Sequence, residues 1–113
     1  MIIQILQWIA VLGTLLTGVY SLFWPKQVTG FTGLQPIGGR GVTEIRAVLG
    51  GVFIGLAGAA LVLNPAVSYP MLGITYLVIA VVRTISMFID GSAVSSNYLS
   101  IAVEIVFGVI LLL

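Results

Sequence analysis

Seven side chains in this 113-residue sequence are charged at neutral pH: Lys26, Arg40, Glu44, Arg46, Arg83, Asp90 and Glu104. Carboxylates and guanidinium groups in such apolar surroundings can pair with one another, hold the polar head of a ligand, or pass protons. Tyr76 precedes Arg83 by seven residues, as Arg83 precedes Asp90, so the three share one stripe of a helix and the Tyr hydroxyl adds a donor to it. The chain has no His and no Cys, which removes the usual proton shuttle, the commonest transition-metal ligand and thiol chemistry. No spacing assigns a catalytic residue, a metal site or a cofactor, and the chain reads more as a binding or structural protein than as an enzyme. Gly38-Gly39-Arg40-Gly41 lacks the Lys-Ser/Thr and the preceding strand of a phosphate loop. A net charge of +1 without a basic cluster leaves no electrostatic footprint for nucleic acid.

The surroundings of these residues decide the class. The sequence is 60% hydrophobic and 6% charged, with a mean hydropathy of +1.28, whereas about a quarter of residues are charged in soluble domains. Lipid must be the solvent. A span needs about 20 apolar residues, and the apolar runs predict an all-α integral membrane protein, an antiparallel four-helix bundle in one transmembrane domain (1–113). The spans fall at about 2–23, 42–63, 69–89 and 98–113, joined by short loops except between the first two. Pro25 stops the first helix, Asn64-Pro65 the second and Asp90-Gly91 the third, and Ser95-Ser96-Asn97 offers caps for the fourth. The first helix, which lacks a basic leader, reads as retained. The stretch Pro25 to Gly41 reads as an interfacial loop.

Antiparallel threading brings the charges toward one face of the membrane. Arg83 lies about two turns before the end of the third helix and Glu104 about two turns into the fourth, so both are near 10 Å deep at about 1.5 Å per residue. Arg83 and Asp90 are too far apart along one axis to bond directly. An Arg near the middle of a span costs roughly 2.5–3.5 kcal/mol, so the economical network pairs Arg83 with Glu104 or Glu44, and Arg46 with Asp90. In the second helix Gly51, Gly55 and Gly58 share a face, and Gly51-x-x-x-Gly55 predicts close packing against another helix. Lys26 and Arg40 place the 25–41 loop in the cytoplasm, with both termini outward, by the excess of basic residues in inner loops. The expected location is the cell membrane, a bacterial inner membrane, as a multi-pass protein.

Two functional readings stay open. In one, the charge network fixes helix register in a non-enzymatic accessory subunit or homo-oligomer, which meets its partner protein within the bilayer. In the other, Glu44, Arg46, Arg83, Asp90, Glu104 and Tyr76 line a polar cavity for a small amphiphile of lipid or quinone type. A transporter is a third, less economical reading.

The run Thr43-Glu44-Ile45-Arg46-Ala47-Val48-Leu49-Gly50-Gly51, followed by Arg83-x-x-Ser86-x-x-x-Asp90-Gly91 and by Glu104 in the last helix, resembles domain-of-unknown-function family 4345, small four-helix bacterial membrane proteins. The resemblance covers nearly the whole chain. It implies the four-helix architecture and carries Glu44, Arg46, Arg83, Asp90 and Glu104 over as signature positions. It implies no activity.

Overall fold

The computed structural model describes residues 1–113, all of it helix and connecting turns. Helix α1 is Ile2–Phe23, α2 is the single turn Thr29–Thr32, α3 is Gly38–Val62, α4 is Pro65–Ile89 and α5 is Ser95–Leu112. Four of them, α1, α3, α4 and α5, are long and apolar enough to cross a membrane. At 18 residues α5 is the shortest, and at about 1.5 Å per residue it still reaches nearly the thickness of a hydrocarbon core. The chain forms two compact units: Met1–Ala10 with Leu63–Leu113, and Val11–Val62.

In the first unit α4 and α5 lie antiparallel at a distance set by two glycines. A Cβ on Gly73 would stand 2.9 Å from the Gly108 carbonyl oxygen, and one on Gly108 would stand 2.6 Å from Leu77. Gly73 has no room for a side chain against the Gly108 carbonyl, and Gly108 could take one only if the Leu77 side chain shifted. Close approach of this kind is how membrane helices gain dispersion energy where lipid supplies no hydrophobic drive. Beside it the rings of Tyr76 and Phe107 meet edge to face at 5.6 Å. The start of α1 joins this unit through Gln7, whose Nε2 donates to the Ile110 carbonyl at 3.1 Å.

In the second unit the later turns of α1 pack on α3 by the same device. A Cβ on Gly18 would stand 2.8 Å from the Ile54 nitrogen and 2.9 Å from the Gly50 carbonyl oxygen. Gly50 in turn faces the Leu22 Cβ and the Gly18 carbonyl. This corrects the expected packing face: Gly55 and Gly58 have nothing within 4 Å of a built Cβ, and Gly51 has only its own Arg46 carbonyl at 4.0 Å. The cause is a π-helical stretch, Ile45–Val52, inside α3. Its wider turn brings residues five apart into line, so buried Ile45 and buried Gly50 share the inner face. The 3.6-residue stripe through Gly51, Gly55 and Gly58 rotates off it.

The helix ends differ from expectation for local reasons. The second span ends at Val62, within a residue of expectation, but Asn64 also starts the next helix four residues before its expected start at Tyr69. Its Oδ1 accepts from the Ala66 N–H at 3.1 Å, so it caps α4, and Pro65 opens that helix where no donor is needed. Pro70 lies one turn further on, within α4. The other end of α4 closes as expected at Asp90-Gly91, where Gly91 takes φ +66° and the Ser92 N–H reaches the Met87 carbonyl at 2.8 Å. This is a Schellman closure, which needs a left-handed residue.

The 25–41 segment is more ordered than a plain loop. Pro25–Val28 forms a 3₁₀ turn that runs into α2. Thr29 Oγ1 donates to the Leu34 carbonyl at 2.6 Å, and Thr32 Oγ1 donates to the Val28 carbonyl at 2.7 Å. Tyr20 stacks between Trp24 and Phe31, each 5.8 Å away, and donates its hydroxyl proton to Gln27 Oε1. The third of the five helices then begins at Gly38, four residues before its expected start at Val42.

Candidate functional site

The polar centre of the first unit is built from α4, α5 and the turn between them. Arg83 lies on α4 seven residues before Asp90, and Glu104 lies nine residues after the start of α5 at Ser95. The guanidinium meets the carboxylate side-on: Nε donates to Oε1 at 2.9 Å and to Oε2 at 3.1 Å, and Nη2 donates to Oε2 at 2.8 Å. Planar, two-pronged contact is the strongest geometry available to this pair. The Glu104 side chain is 9% exposed and that of Arg83 33%, so the acid is enclosed and the base forms its outer wall.

Asn97 completes the arrangement. Its Oδ1 accepts from Arg83 Nη1 at 3.1 Å, while Nδ2 donates to the Ser92 carbonyl at 2.8 Å and to Ser92 Oγ at 3.3 Å. A cation on one side and a carbonyl on the other leave the amide one sensible orientation. The turn after Gly91 is thereby tied to Arg83 through one side chain. Sequence reasoning placed Asn97 among the cap candidates, yet α5 begins at Ser95 with Val94 before it and no side-chain cap. The overlooked signal was periodicity, since Asn97, Glu104 and buried Leu111 are seven apart and share one stripe of α5.

The remaining candidates lie elsewhere. Glu44 pairs with Arg40 one turn before it, both exposed, and not with Arg83. Arg46, within α3, and Asp90, at the end of α4, are both exposed, and neither enters the expected ion pair. Tyr76 is buried against Phe107, about 10 Å deeper along α4 than Arg83 at about 1.5 Å per residue. The expected network thus contracts to one buried pair and an amide.

The profile of the family described as Domain of unknown function (DUF4345) matches residues 2–113. The chain belongs to this family. No curated protein and no solved structure matches it. Of the five charged positions through which the chain resembles DUF4345, Arg83 and Glu104 are the two that meet.

A groove of about 400 Å³ runs along α4 beside this pair, with Val78 toward one end, Val82, Arg83 and Ser86 midway, and Ser92 and Asn97 at the other. A wider hollow of about 750 Å³ lies in the second unit between Lys26, Thr29, Gln35 and Gly38. Its one cation, Lys26, has no opposing acid.

Proposed function

We propose that this DUF4345 protein is a non-enzymatic membrane component, an antiparallel bundle of four spans that works through lateral contact with a partner protein or with further copies of itself. The observation that carries the reading is the Arg83–Glu104 pair. Both carboxylate oxygens accept from one edge of the guanidinium, and Asn97 accepts from its third nitrogen, so the groups best suited to acid-base chemistry are engaged in joining α4 to α5. Lateral contact follows from the surface, where residues such as Leu16, Val62, Val81, Phe88 and Leu99 are more than half exposed and suited to lipid or to another apolar helix. The location is a cell membrane, with the 25–41 segment and its basic residues Lys26 and Arg40 on the cytoplasmic side.

A double-mutant cycle in one detergent tests the structural role. Arg83→Leu and Glu104→Leu each leave a buried charge unpaired and should each cost about 3–5 kcal/mol, while the double variant should recover much of the loss. Additive effects, or single variants that melt with the parent, would show that the pair does not hold the hairpin.

A further inference from the structure

Arg83 has N–H groups to spare. A guanidinium carries five N–H donors; Glu104 takes the single one of Nε and one from Nη2, and Asn97 takes one from Nη1. One donor on each terminal nitrogen is left, and Arg83 lines the groove. The site is electrically balanced, because the carboxylate 2.8 Å away already offsets the guanidinium. An anion placed there would face Glu104 across a few ångströms, and a cation would face Arg83. A neutral acceptor suits the balance.

The groove also has a direction. Ser92 and Asn97 lie at the α4–α5 turn, whereas Val78 is twelve residues before Asp90, about 18 Å deeper at about 1.5 Å per residue. Polar groups are therefore at the interfacial end, the arginine is midway and aliphatic side chains are toward the membrane interior, the same order as head and tail in an inserted amphiphile. Its volume of about 400 Å³ falls within the usual range for small-molecule sites. We infer that this groove binds a neutral amphiphile whose carbonyl oxygen accepts from the two free N–H groups of Arg83, its tail lying along Val82 and Val78. An acyl ester and a quinone present this same chemistry.

Native mass spectrometry of the full chain in detergent, titrated with dioleoylglycerol, its ether analogue without carbonyls, decylubiquinone and dodecyl phosphate, tests the inference. One saturable site is expected for a carbonyl-bearing neutral probe, with the ether analogue about tenfold weaker for the lost hydrogen bonds. Dioleoylglycerol alone assigns an acyl ester, and decylubiquinone alone assigns a quinone. Val82→Phe, which fills the groove without touching the ion pair, should weaken binding by about tenfold or more, and Val81→Phe, exposed on another face, should leave it unchanged. Arg83→Lys, which keeps the charge without the planar fork, should lose the preference for the ester over the ether. Uptake that does not saturate, that ignores Val82→Phe, or that favours dodecyl phosphate overturns the inference.

Discussion

Arg83 joins two partners through all three of its nitrogens, and what matters is the shape of its head more than its charge. A lysine at the same place would supply a point charge to Glu104 but could not hold Asn97 in the same plane. Asn97→Ala removes the acceptor for Nη1 and the donor to Ser92, and should cost about 1–3 kcal/mol in thermal unfolding because two partners lose a bond in a part-buried site. The loss should be smaller than for Glu104→Leu, which strands a charge. A larger effect for Asn97→Ala would mean that the turn, and not the ion pair, is the main tie between α4 and α5.

At the scale of the element, the glycines divide into those that touch and those that do not. Gly18→Leu and Gly108→Leu place bulk where a first carbon already collides at 2.8 and 2.6 Å, so each should destabilise by at least about 1–3 kcal/mol through overpacking. Gly55→Leu meets open space and should leave the melting temperature unchanged or raise it slightly, since Leu favours helix over Gly. Comparable losses at all three positions would contradict the contacts described. The sequence could not make this division. In a helix that is apolar all round, hydrophobic periodicity has almost no contrast, so Gly51-x-x-x-Gly55 looked like a packing motif and the adjacent Gly50 did not. The π-helical stretch that moves Gly50 inward has no signature in residue type. The four long apolar helices were legible because Pro, Gly and Asn interrupt the apolar runs, yet Asn64 and Pro65, which follow the end of α3 as expected, also open α4 four residues before its expected start at Tyr69. Arg83 and Glu104 were legible as a pair because two opposite charges at one depth in lipid have few alternatives. Asn97 was missed because an Asn near a helix start has an ordinary explanation.

For the whole molecule, charge sets the expected orientation. The 25–41 segment carries Lys26 and Arg40, and the Leu63–Asn64 link between α3 and α4 carries no charge. With no native Cys, single thiols report without background. Gln27→Cys should be shielded from an impermeant maleimide in intact cells and become reactive on lysis, whereas Ala66→Cys, exposed at the start of α4, should react directly. The reverse pattern would invert the orientation and leave the helix pairing intact.

The bond from Gln7 to the Ile110 carbonyl joins residues 103 positions apart, and it bears on the order of biosynthesis. Gln7 is made with α1, while its acceptor belongs to α5. Until α5 has been made, that side-chain amide lacks its Ile110 partner, and in lipid few groups could replace it. The second unit, Val11–Val62, is contiguous in sequence and has all its residues once α3 has emerged. The first unit waits for α5. A product lacking α5 therefore leaves Gln7 without the Ile110 carbonyl and Arg83 without Glu104 and Asn97.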